Sequence, residues 1–245
     1  FVSFKIITSF VHLKSITMKQ YLFILSFLAS LFAYPQSNTS LLDHYKEYYN
    51  QMRTQGDVQG VINALTHLNI LSPNQARKDT LAVLYMNEGK HIQALNTIGI
   101  DKNENDSDMA VEVKAMSLQV LNQIERSVEH YEELYRRKPS PVVAYELADM
   151  KIQLDDLLGA TKHITFGIAN SKSDVMRTFY ESQNQYQVPM KAAFMYLKGL
   201  VRFKENKSLN IDSAIEIMDE ALAIAPNFNL ALISKDALLS QKTIQ

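Results

Sequence analysis

A spacing of 33 residues recurs along most of this chain and constrains the fold more than any other feature. With Gly56 and Gly89 in register, the same step reaches Asn122 and Asp155, all residue types suited to tight turns. Seven positions before each turn stand Tyr49, Ala82, Ala115 and Ala148. Five positions after it stand Val61, Ala94, Ser127 and Ala160, and nine after it Leu65, Ile98, Tyr131 and Ile164. Pro73 and Pro139 lie two periods apart. Inside a unit the apolar spacing is helical. Leu81, Ala82, Tyr85 and Met86 share one face, as do Ile92, Leu95 and Ile98 after the turn. Each unit therefore reads as two antiparallel helices. The small residues mark where the two axes cross, because a small side chain lets helices approach to about 8–10 Å. A single hairpin leaves an apolar face bare, and stacking the next hairpin covers it.

Composition narrows the alternatives. Only 7 glycines and 6 prolines in 245 residues argue against turn-dense β architectures and glycine-rich phosphate loops. No cysteine is present, which excludes disulfides, thiol nucleophiles and cysteine-ligated metals. Lys and Arg number 25 against 26 Asp and Glu, so the charge balance gives no support to a nucleic-acid binder.

The N-terminal stretch reads as an address. Residues 1–17 form an upstream leader, and Met18-Lys19 precede a 14-residue uncharged run, Tyr21–Tyr34. That is shorter than the roughly 20 apolar residues a helix needs to cross a bilayer. A basic start, a short apolar run and small residues at its end describe a signal peptide over 18–33, cleaved after Ala33, and predict export to a periplasm or cell envelope. Membrane contact is expected only through this segment, if it stays uncleaved.

The columns resemble the tetratricopeptide repeat, whose pattern asks for Leu and a small residue, an aromatic, a turn Gly, an Ala, an aromatic or apolar residue and a closing Pro. Leu81-Ala82, Tyr85, Gly89 and Ala94 match in the second unit. Ala115, Ser127, Tyr131 and Pro139 match in the third, and Leu147-Ala148, Leu157, Ala160 and Ile164 in the fourth. The first unit offers Gly56, Val58, Val61, Leu65 and Pro73, with Tyr49 in place of the small residue. A fifth unit carries Gly199, Ala214, Met218, Ala221 and Pro226, and Leu230, Ala231, Ile233, Ala237 and Leu238 make a final capping helix. The resemblance implies an all-α, right-handed superhelical solenoid of about five helical hairpins plus that cap. Four repeats span 41–170, and the fifth with the cap spans 189–245. The step from Ala148 to Gly199 is 51, so an inserted loop occupies 171–188, and Pro189 opens the next helix. Phe179, Tyr180 and Tyr186 within the insertion either pack back on the solenoid or form a lid over its groove.

No catalytic constellation emerges. Phosphate-loop, nucleophile-elbow and His-Glu-x-x-His patterns are missing. His130 and His163 sit one period apart and read as packed or solvated rather than metal-bound; neither a metal nor a cofactor is called for. The resemblance instead implies an interaction module, not an enzyme, whose first helices line a concave groove for a protein or peptide partner. Carried over by column, that groove takes Lys46, Asn50 and Arg53 from the first unit, and Met86 and Asn87, with Asp79 and Val83, from the second. The third supplies Met116 and Gln119 with Met109 and Glu112; the fourth, Tyr145, Asp149 and Ile152 with Val142; the fifth, Phe203 with Leu200. Methionine suits adaptable apolar contacts. Some members of the family clamp a C-terminal carboxylate with five cationic or amide side chains. Lys46 and Asn50 match two, whereas Thr80, Met109 and Val113 do not, which argues against such a clamp. Two other readings remain at this stage: an envelope enzyme or ligand-binding accessory whose site is built by the insertion, and a membrane-tethered spacer.

Overall fold

The computed structural model describes residues 38–181 and 184–244. The leader, the signal peptide and its cleavage site lie outside them. Two compact units divide the chain at Pro73. The first holds one helical hairpin, α1 (Asn38–Gln55) and α2 (Val58–Leu71). The second begins with three more pairs: α3 (Gln75–Asn87) with α4 (His91–Ile98), α5 (Asp108–Val120) with α6 (Ile124–Arg137), and α7 (Pro141–Gln153) with α8 (Leu157–Asn170). A two-stranded antiparallel hairpin follows, β1 (Met176–Glu181) and β2 (Asn184–Pro189). Then come α9 (Met190–Glu205), α10 (Ile211–Ile224) and α11 (Asn229–Ile244). In the second unit the later helix of each pair packs on the first helix of the next, and α3 also touches α5 and α7 touches α9. This is an all-α repeat fold with one β-hairpin inserted.

The periodic turn is one backbone device used four times. Gly56, Gly89, Asn122 and Asp155 all have left-handed φ, at 72°, 69°, 57° and 60°. At each, the turn residue's N–H bonds the carbonyl three back, and the next N–H bonds the carbonyl five back, as with Gly89→Met86 (2.9 Å) and Lys90→Tyr85 (2.8 Å). This C-terminal cap satisfies carbonyls that the ending helix would leave open. The following helix then starts on a side-chain cap where one is available: Asp57 accepts from Gly60 and Asp156 from Gly159, each at 2.9 Å.

A β-carbon at Gly89 would meet nothing within 4 Å, so only backbone strain opposes a side chain there. Gly89→Ala is expected to lower stability by about 1 kcal/mol in urea unfolding, whereas Asn122→Gly should stay within about 0.5 kcal/mol. A neutral Gly89→Ala would show that this turn carries no left-handed strain.

The helix crossings fall on the small columns. Ala82, Ala115 and Ala148 are completely buried, as are Ala94, Ser127 and Ala160 opposite them. Ser127 is tolerated because its hydroxyl donates to the Ala115 carbonyl at 2.8 Å. In the fifth pair Gly199 plays the part, with Met218 close enough that a β-carbon would lie 2.7 Å from its methyl.

Two local departures from the expected pattern stand out. The second helix of the second repeat is only 8 residues long, and Gly99 (φ 84°) ends it. The segment after it, Asp101-Lys-Asn-Glu-Asn-Asp-Ser107, is rich in residues that favour turns over helix interiors. The insertion, expected as a loop, is mostly β-hairpin. Pro189 ends β2 and caps α9, whose first residue is Met190, one position later than expected. Alternation explains the strands. Arg177, Phe179, Tyr186 and Val188 fall on one face of the paired register, Arg177 opposite Val188 and Phe179 opposite Tyr186. That face lies on the helices. Phe179 stacks with Tyr186 at 5.7 Å and packs on buried Phe228 at 5.0 Å. The insertion thus packs back onto the solenoid.

Candidate functional site

Asp108, Glu112 and Met116 occupy successive turns of one face of α5, and Val142 and Glu146 do so on α7. Together with Tyr131, Leu134 and Arg137 of α6 they enclose a cleft of about 540 Å³. Its apolar lining is open to solvent: Val142 is 51% exposed and Met116 is 38% exposed. Ser140 caps α7 through its hydroxyl, and Pro141 fills the first helical position, which sets the angle at which α7 enters beside the cleft.

A polar relay borders the cleft. The Tyr131 hydroxyl donates to Gln119 Oε1 at 2.9 Å, and Gln119 Nε2 donates to Glu146 at 3.0 Å. Glu146 also accepts from the Arg177 guanidinium on β1. That guanidinium lies over the Tyr145 ring, 4.2 Å from its centroid. Burial pushes the Tyr131 and Tyr145 hydroxyls well above their ordinary range, so both stay protonated donors. Burial, and then the Glu146 charge, raise the Asp149 carboxyl. On the other side of the cleft Arg137 bonds Asp108 at 2.9 Å and Glu133 at 2.8 Å. Glu133 is held well below the usual carboxylate range by hydrogen bonds from Arg136 and then Arg137. Glu112 is exposed and forms no ion pair among the described residues.

The expected groove residues separate into groups. Met116 and Gln119 meet at this cleft with Glu112 and Val142. Tyr145 and Ile152 are instead core residues, 3% and 5% exposed, because the hairpin and α9 cover their side of α7; neither offers surface to a partner. Asp79 is buried as well, receiving bonds from Gln75 and Ser107. Asp149 is half-buried, and Phe203 and Leu200 pack against the core around α9. Met86 packs partly into the contact of Ala82, Ala94 and Val113, while Asn87 is exposed. Lys46, Asn50 and Arg53 lie exposed on α1 in the first unit, where Lys46 pairs with Asp43 at 2.9 Å and Arg53 lies 5.9 Å from the centroid of the Tyr49 ring. Sequence reasoning missed Glu146 and Arg177. The i, i+2 alternation of Arg177 with Phe179 was the available signal.

The two histidines do not share a site. His130 Nε2 donates to the Ile100 carbonyl at 2.9 Å, and His163 packs edge-on against Tyr135 at 4.7 Å. Among the described residues no group of three or more His, Asp or Glu side chains is arranged to hold a metal. Tyr180 is 79% exposed on the outward face of the hairpin. No helix of the described residues is long and apolar enough to cross a membrane.

No protein-family model matches the sequence. No curated protein matches it either. Solved structures do. The fold is similar to that of YrrB, a TPR protein with an unusual peptide-binding site: TM-score 0.61, 13% identity, 82% of this chain and 98% of that one covered. It is similar to MamA with a TM-score of 0.55 and 16% identity, over 74% of this chain and 90% of that one. Left-handed turns every 33 residues, small residues at the helix crossings of the second unit, and hairpins that pack there one on the next therefore belong together: this chain has the tetratricopeptide-repeat fold.

Proposed function

We propose that this protein is a non-enzymatic interaction module that captures a peptide segment of a partner protein in the cleft between α5 and α7. The observation that carries this reading is the cleft itself: about 540 Å³, open, with Met116 and Val142 exposed above a polar floor made by Tyr131, Gln119 and Glu146. Exposed apolar residues rimmed by fixed polar groups suit the capture of a peptide. Similarity in fold to YrrB, a TPR protein with a peptide-binding site, supports it. The signal-like Met18–Ala33 segment adds export to a periplasm or envelope as the proposed location.

Selection from a displayed peptide library on the full chain tests the binding. Peptides enriched on the unaltered protein should lose at least about tenfold in affinity for the Met116→Glu, Val142→Glu double variant, since each loses a desolvated apolar anchor. Equal affinity for both proteins would refute capture at this cleft.

A further inference from the structure

A second cavity lies away from the α5–α7 cleft and shares no lining residue with it. It holds about 340 Å³ and opens between α8 and α9. The Phe194 ring of α9 fills the space that a side chain at Gly167 of α8 would need, so the two helices meet closely there. On the adjoining face of α8 short side chains leave room. Thr161, Thr165 and Ala169 stand on successive turns, with Ile164 and Ile168 beside them and Val201 opposite on α9. The threonines spend their donors inside the helix. The Thr161 hydroxyl donates to the Leu157 carbonyl and the Thr165 hydroxyl to the Thr161 carbonyl, each at 2.8 Å. Lys198 is the one charged residue in this lining.

Lys198 also lines a neighbouring cavity of about 450 Å³ between α9 and α10. Arg202 in that cavity is already engaged, with Glu205 at 3.1 Å and the Ser213 hydroxyl oxygen at 3.3 Å. Glu216 and Glu220, one turn apart on α10, are exposed. Neither they nor Lys198 form an ion pair among the described residues. Like charges at that spacing repel, so the two carboxylates favour a cation between them. Across the surface from α8 to α10 the order is therefore apolar hole, cation, anions.

A ligand that matches this order carries an apolar chain, then an anion, then a cation. We infer that the α8–α10 surface binds a single-chain zwitterionic amphiphile, with its acyl chain in the apolar hole, its phosphate on Lys198 and its ammonium between Glu216 and Glu220. A phosphoethanolamine headgroup has this sequence of charges. Lysine binds phosphate as a point charge, and each methylene buried in the hole is worth about fourfold in affinity. A fatty acid or an anionic lipid would leave both glutamates unmatched beside its head. The site does not depend on peptide capture at the cleft.

The test titrates the full chain calorimetrically with dodecanoyl-lysophosphatidylethanolamine below its critical micelle concentration. The comparison ligands are the decanoyl homologue, dodecanoyl-lysophosphatidylglycerol, which lacks the ammonium, and free phosphoethanolamine. Saturable binding is expected, with a loss of at least about tenfold on removing two methylenes and at least about tenfold in Lys198→Glu. The double variant Glu216→Gln, Glu220→Gln should bind the two dodecanoyl lipids alike, whereas the parent prefers the ethanolamine. Thr165→Phe, a change at an exposed position, should fill the hole and abolish binding of both chains. No saturable binding, equal affinity in Lys198→Glu, or equal binding of the two headgroups by the parent overturns the inference. Free phosphoethanolamine binding as tightly as the lipid also overturns it, since the hole would then hold no chain. Loss of the library-selected peptides in Thr165→Phe overturns it too, by assigning the hole to a peptide.

Discussion

Replacing Lys114 by Ala is expected to destabilise the second unit by about 3 kcal/mol, near the lower end of what breaking a buried ion pair costs. Lys114 is 1% exposed, yet it carries an ammonium into the core. Its Nζ meets Asp106 Oδ2 at 2.5 Å and donates to the Asp101 carbonyl at 2.8 Å. Truncation leaves a carboxylate that is itself 10% exposed, and a carbonyl, without their donor. The consequence extends along the segment 99–107, which lacks helix and is tied to its neighbours largely by side chains. His130 holds Ile100, Arg126 pairs with Asp101, and Arg137 donates to the Asp106 carbonyl at 2.8 Å. Lys114 is the innermost of these ties. Equilibrium unfolding followed by circular dichroism measures the loss. The double replacement Lys114→Met with Asp106→Leu should recover most of it, because two apolar groups strand no charge. A single variant as stable as the parent would mean that water reaches the pair freely.

Acid should destabilise the same unit through His163. Its ring is 4% exposed, its Nδ1 is buried without a hydrogen-bond partner, and Tyr135 packs edge-on against it. Burial first, and then the nearby positive charge of Lys151, lower its pKa from 6.5 to about 4, with Glu132 and Asp156 opposing weakly. Between these values the unfolded chain holds a proton that the folded chain refuses. The neutral-ring contribution is therefore complete above about pH 6.5 and lost as pH falls toward 4, a total of about 3 kcal/mol. His130 is shifted in the same direction, by burial. Stability measured from pH 6.5 down to 5 should fall distinctly less steeply for His163→Gln than for the parent. An identical slope in both proteins would assign the acid sensitivity in this range elsewhere, for instance to His130, whose pKa burial also lowers.

Neither effect was legible in the residue pattern, and the reason is the same for both. Lys114 and His163 stand in helices whose apolar columns are regular, and a column records spacing, not the depth to which a polar neighbour sinks. Tyr145 and Ile152 illustrate the converse. Their column placed them on the groove, but the insertion folded back and turned that stretch of α7 into core. Met116, ahead of the insertion, lines the cleft, and Gln119 bonds Glu146 beside it.

Local repetition alone determined the hairpins, their turns and their crossings. A left-handed cap needs Gly, Asn or Asp, and a close crossing needs a small side chain, so both demands are written at single positions and recur at a set interval. Tertiary packing alone decided how the fourth and fifth repeats are joined, which charges lie buried and where the cleft remains open. Those outcomes depend on residues far apart in sequence, Arg177 with Glu146 and Phe179 with Phe228 among them, which meet where an added hairpin lays its apolar face on the helices.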